Sequence, residues 1–194
     1  MGKGRLEAFS DGVLAIVITI MVLEIKVPHG DDRASAQTLL PVLLNYLLSF
    51  IYVGIYWNNH HHLMHTIHKI NGKVMWANHH LLFWLSLMPF TSRWMEEYHA
   101  SPLPTAFFGV VLFMAGVAYF ILEQCLIDLH GKDATLARAV GNDFKGKASV
   151  CIYALAIALA FVESRISILL YALVAVIWLI PDTRIEKMLK EENR

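Results

Sequence analysis

The chain alternates long apolar runs with short polar ones, and six of the runs have the length or the flanks of membrane helices. The first extends from about Leu6 to Val27, Pro28–Ser35 forms a polar turn, and the second run covers about Ala36 to Asn59. A third covers about Val74 to Ser92 with Pro89 near its end, and Ser101, Pro102 and Pro104 break the chain before a fourth at about Thr105 to Ile127. Asp128–Lys147 is polar, mixed in charge and the longest soluble connection. Ala148–Val162 and Ile166–Ile180 follow, separated by Glu163-Ser164-Arg165, and Arg184–Arg194 is a soluble amphipathic tail. The last two runs are shorter than the roughly 20 residues of a full span, but their flanking Lys, Glu and Arg side chains can snorkel to the interface. The pattern predicts an all-α membrane protein with six transmembrane helices (about 6–27, 36–59, 74–92, 105–127, 148–162 and 166–180) in one domain over residues 1–194.

Composition agrees: 57% hydrophobic and 16% charged residues make a chain too apolar for an average soluble domain. Formal net charge is zero, so no basic signal points to nucleic acid, and the partner implied is the lipid bilayer. Cys125 and Cys151 each sit alone in an apolar run, where a thiol is a small hydrophobe. Lys3 and Arg5 precede the first apolar run, but Glu24, Lys26 and Pro28 follow it in place of small residues. That run is read as a retained span and not as a removed signal peptide. With six spans, one side carries Lys3, Arg5, Lys69, Lys73, Lys132, Arg138, Lys145, Lys147, Arg184, Lys187, Lys190 and Arg194; the other carries Lys26, Arg33, Arg93 and Arg165. This asymmetry places both termini in the cytoplasm of a multi-pass cell-membrane protein.

The first span carries unusual polarity in Arg5, Glu7, Ser10 and Asp11. At about 100° per residue, Gly12, Ile16, Thr19, Ile20, Leu23 and Val27 share one stripe, in which Thr19 is the lone hydroxyl, and Asp11 lies roughly 140° from Ile16. From geometry alone the stripe suits lipid contact or helix packing. A carboxylate within a span needs partners. Arg5, Ser10 and Asp11 lie level with Trp57, Asn58 and Asn59 of an antiparallel second span and with Asn78, His79 and His80 of the third. A polar network holding spans one to three together is the economical reading. A proton relay would want carboxylates at several depths, and Glu24 and Glu123 do not line up with Asp11.

Ten histidines in 194 residues are unusual. His61, His65 and His68 recur at i, i+4 and i+7, so a continuing helix shows all three on one face with metal-competent geometry. Membrane di-iron oxygenases carry an HxxxH box with two HxxHH boxes, and here the second and third are missing. No glutamate-bearing zinc-protease helix is present either. The three histidines are therefore weak metal candidates, and no metal or cofactor is expected. Serial-arginine voltage sensors, TVGYG filters, phosphate loops, nucleophile elbows and internal repeats are also missing. On the residues alone, a histidine-dependent membrane metalloenzyme and a proton-coupled transporter are open readings.

RLEAFSDGVLAIVITIMVLEI, with Arg5, Phe9, Ser10 and Asp11 in the pattern Arg, three residues, Phe-Ser-Asp, strongly resembles the first span of the transmembrane protein 175 family of cation channels. YWNNHH (Tyr56–His61) and ANHHLLFWLSLMPF (Ala77–Phe90) resemble its second and third spans. The resemblance implies a potassium-permeable channel, not an enzyme, that lacks a carbonyl filter and passes K⁺ and other monovalent cations with weak K⁺/Na⁺ selectivity. It further implies a homotetramer whose first helices surround the pore, with Ile16, then Thr19 or Ile20, then Leu23 facing the pathway. Arg5, Phe9, Ser10 and Asp11, with Trp57, Asn58, Asn59 and His79, then lock that helix to its neighbours. A narrow ring of Ile16 side chains closes such a pore by repelling water.

Overall fold

The structure is a computed structural model that describes residues 2–28, 30–98, 101–131 and 144–179. Among these residues there is no strand, and seven helices follow one another: α1 (Lys3–Leu23), α2 (Arg33–His65), α3 (Gly72–Ser86), α4 (Met88–Glu97), α5 (Pro102–His130), α6 (Phe144–Leu159) and α7 (Ser164–Leu179). The protein is all-α. Most of the polar connection, with Lys132 and Arg138, lies outside the described residues, as do Ile180 and the Arg184–Arg194 tail. By length and apolarity α1, α2 and α5 each suffice to cross a bilayer, and α7 is a shorter apolar helix.

Two features depart from the simple reading of the apolar runs. The third run is two helices, not one. Pro89 sits in the first turn of α4 and has no N–H to offer the carbonyl one turn back. The turn tightens accordingly at Leu87, whose N–H reaches Trp84 O at 3.2 Å, and helix resumes as far as Glu97. The second run is longer than its apolar part. Helix α2 is capped at Asp32, whose carboxylate accepts from Ser35 N–H at 2.8 Å. Hydrogen bonding from Ser35 holds the Asp32 carboxyl below its ordinary range. At the other end α2 continues through His60–His65 before Thr66 ends it, so polar side chains ride on a helix that hydropathy alone stops at Asn59.

Helix α5 is the centre of the bundle. Phe108, Val111, Leu112, Ala115, Ala118, Leu122 and Leu126 are all buried along it, and α3, α4, α6 and α7 pack around it. Small residues permit this close approach. At Gly109 a Cβ would overlap the Tyr171 hydroxyl and lie 2.9 Å from Ile157 Cγ1. The same Tyr171 accepts, on its carbonyl, a 2.6 Å hydrogen bond from the Tyr52 hydroxyl and donates to Thr105 O at 3.2 Å. These bonds tie α2, α5 and α7 together inside a cluster that also holds Phe108 and Tyr153. Helix α1, in contrast, packs on the outside of the bundle, against α2, α3 and α4.

Replacing Gly109 with Ala should overpack this junction, and overpacking typically costs about 1–3 kcal/mol. A lower melting temperature in detergent is the expected outcome; an unchanged one would mean that Tyr171 moves aside freely.

Candidate pore helix and its anchors

Helix α1 turns one face inward. Leu6, Ser10, Leu14, Val17 and Met21, spaced by three and four, are its buried residues. The one polar member, Ser10, is fully buried, as are Asn78 on α3 and, nearly so, His60 on α2. They satisfy one another. The Ser10 hydroxyl donates to Leu6 O at 2.9 Å, Asn78 Nδ2 donates to Ser10 Oγ at 3.0 Å, and Asn78 Oδ1 lies 2.8 Å from His60 Nε2. Because Asn78 Oδ1 is an acceptor, His60 carries its proton on Nε2. Donors therefore run in one direction from α2 through α3 to α1. Buried polar groups left unpaired cost free energy, so a closed chain of this kind specifies one arrangement of the three helices.

The residues on either side of Ser10 extend the lock. Phe9 stacks on His79 of α3 with ring centres 5.4 Å apart, and Asp11 accepts a 2.9 Å hydrogen bond from the Trp57 indole of α2. Three consecutive residues of α1 thus engage three different side chains on two helices. Of the residues expected in this network, Phe9, Ser10, Asp11, Trp57 and His79 meet within it. Asn59 enters only through its carbonyl, which accepts from the Tyr119 hydroxyl at 3.1 Å. The exposed Arg5 and Asn58 side chains have no hydrogen-bond or ion-pair partner among the described residues, so no Arg5–Asp11 pair forms within the protomer. His60, which the sequence groups with the interfacial histidines, is a central link. The signal for it is spacing: it lies four residues beyond the buried Tyr56 and so on the inner face of α2.

The opposite end of α1 is also anchored. Arg93 of α4 pairs with Glu96 and Glu97, each at 2.7 Å, and approaches the Glu24 carboxylate at 3.9 Å. Lys26 reaches Glu97 at 3.4 Å. The Glu24–Arg93 and Lys26–Glu97 pairs are partly solvated and individually weak, yet they connect the C-terminal end of α1 to α4.

Between the anchors, the apolar stripe points away from the bundle. Ile16 is 58% exposed and Leu23 81%; Gly12, Thr19, Ile20 and Val27 are exposed as well. The Thr19 hydroxyl donates to Ile16 O at 2.9 Å. With its hydrogen spent inside the helix, the oxygen presents only lone pairs outward. The histidines divide. His61 and His65 lie on α2 with ring centres 4.4 Å apart, whereas His68 lies beyond the helix end at Thr66 and cannot continue their face. Among the described residues no three His, Cys, Asp or Glu side chains converge on a metal site.

Residues 5–89 match the family model for the endosomal/lysosomal potassium channel TMEM175. Over 191 residues the chain is 56% identical to a potassium channel of Chryseobacterium sp. (strain P1-3), covering 98% of this chain and 100% of that one. The chain belongs to the TMEM175 family. It is also 31% identical to a potassium channel of Streptomyces collinus, with 89% of each chain covered. The solved TMEM175 homologue from Chamaesiphon minutus, described as a lysosomal potassium-selective channel homologue, superposes with a TM-score of 0.78 at 27% identity, covering 92% of this chain and 96% of that one. TMEM175 relatives are ion channels, so the metalloenzyme reading of the histidines falls away.

The geometry ranks the anchors. Replacing Asn78 with Ala strands the buried His60 Nε2–H, at about 1–3 kcal/mol for an unsatisfied group, and removes the donor to Ser10 Oγ, which keeps its bond to Leu6 O. Replacing Asp11 with Ala removes one hydrogen bond at an exposed site, worth roughly 0.5–1.5 kcal/mol. Thermal unfolding in detergent should therefore place N78A below D11A; the reverse order would mean that Asp11 has a stronger partner in the assembled protein.

Proposed function

We propose that the protein is a cell-membrane channel for K⁺ and other monovalent cations, a homotetramer in which four copies of α1 line the pathway. The observation that carries this reading is the exposed apolar stripe on α1, interrupted by one hydroxyl and held at both ends by polar anchors. A helix anchored only to present itself to lipid has no need of such anchoring. Four copies facing one axis give the stripe a partner and give Thr19 a role. Six traverses per protomer, with α3 and α4 counted as one, leave both termini on one side, and the basic residues on that side support the cytoplasmic one. The potassium-channel names of the relatives from Chryseobacterium and Streptomyces support the same substrate.

The mechanism follows from the lining. A ring of Ile16 side chains in a narrow bore offers an ion no ligands in exchange for its hydration shell, and water leaves such a constriction. A modest splay or rotation of α1 widens the ring and wets it. One turn farther on, four Thr19 oxygens offer lone pairs to a partly dehydrated cation. With so few oxygens compared with a carbonyl cage, the preference for K⁺ over Na⁺ is weak.

Potassium flux into liposomes tests the gate. Replacing Ile16 with Asn supplies four amides where the collar was dry, so basal flux should rise while the melting temperature stays close to that of the unmodified protein. Ile18, about 160° around the helix, is half-buried against the core. An I18N change should lower stability without raising flux per folded channel. Increased flux from I18N and none from I16N would place the pore on another face.

Replacing Thr19 with Val keeps the shape and removes the oxygens. The K⁺/Na⁺ permeability ratio should fall toward unity in bi-ionic recordings, whereas an unchanged ratio would remove Thr19 from the selectivity step. Native mass spectrometry should give a tetramer; an active monomer would overturn the assembly.

A further inference from the structure

We propose that His61 and His65 form a two-histidine site for a transition-metal dication such as Zn²⁺, built beside the tryptophan that holds the pore helix. No hydrogen bond of the anchoring network uses either ring. Both side chains are exposed on α2, one turn apart, with ring centres 4.4 Å apart and ring planes at 70°. Two imidazoles that share a tetrahedral Zn²⁺ at about 2.0–2.1 Å have centres about 5 Å apart. Small side-chain rotations therefore bring both nitrogens onto one ion.

The surroundings favour this ion. His65 is the last residue of α2, at the negative end of the helix dipole, which stabilises a cation. Imidazole nitrogens suit zinc, nickel and copper and not the hard calcium or magnesium ions. No third protein ligand converges among the described residues, so water completes the coordination shell. Such an ion binds reversibly, unlike a structural zinc with four protein ligands.

The placement gives the site a consequence. His61 stacks on Trp57, with ring centres 5.9 Å apart and planes 23° from parallel. The Trp57 indole donates to Asp11 on α1. A metal that fixes the His61 ring fixes the surface against which Trp57 rests, and so stiffens the hydrogen bond to the first helix. This holds whether or not the chain conducts ions, because it concerns binding and the junction between α1 and α2.

Titration of tag-free purified protein with Zn²⁺ by calorimetry tests the site, with Ni²⁺ quenching of tryptophan fluorescence as a second reading. One ion per chain is expected, together with quenching that disappears in the Trp57→Phe variant. Losing one of two ligands should weaken binding by at least the roughly tenfold cost of losing an outer partner, so H61Q and H65Q should both bind weakly, and H68Q should bind as the unmodified protein does. Unchanged affinity in H61Q or H65Q, or equal loss in H68Q, would overturn the site. Quenching that persists in the Trp57→Phe variant would overturn its placement beside that residue. Absent flux from liposomes alongside intact, histidine-dependent binding would count against the channel reading and leave this one standing.

Discussion

The structure depends on the hydrogen bonds that join Ser10, Asn78 and His60 across three helices. In a bilayer, apolar contact alone does not choose between one rotation of a helix and another, because lipid tails are as apolar as leucine. A polar residue inside the bundle does choose, since rotating it away from its partners strands a donor or an acceptor. Ser10 thereby fixes the rotation of α1. Once that rotation is set, Leu14, Val17 and Met21 face inward and the stripe from Gly12 to Val27 faces out. The phenylalanine and aspartate beside Ser10 reinforce the same setting through His79 and Trp57.

This gives the Phe-Ser-Asp sequence a physical reading. It is a rotational lock, which in the proposed channel stands apart from the pathway. Consecutive residues on a helix point about 100° apart, so three in a row can grip two neighbouring helices while leaving the far side free. At the other end Glu24 and Lys26 meet Arg93 and Glu97 of α4 in weaker, solvated contacts. A helix held firmly at one end and loosely at the other is suited to a small splay, the motion that the proposed gate requires.

Much of this is legible in the sequence, for identifiable reasons. The stripe on α1 follows from periodicity, and the level of the polar residues follows from antiparallel packing, which sets Asp11 and Trp57 at one depth. The run of helix through His60–His65 is not legible from hydropathy, because its residues are polar although the backbone stays helical. The division at Leu87 is hidden because Pro89 can either end a helix or begin the next. Arg5 misleads for an electrostatic reason: a cation near a carboxylate suggests a pair, but here an indole takes the carboxylate and the guanidinium faces outward. His60 is hard to single out because composition draws attention to the histidine cluster as a whole, whereas burial distinguishes one member.

The central claim is that the exposed face of α1 meets copies of itself around a common axis. Cross-linking tests this most directly. With Cys125 and Cys151 replaced by Ala, a single cysteine at position 16 should react in membranes with a short bifunctional thiol reagent to give covalent dimers. A single cysteine in place of Leu169, which is 68% exposed on α7, should stay monomeric under the same conditions. Dimers from position 169 with none from position 16 would contradict the account, because α1 would then face lipid and the outer helices would form the contact between copies.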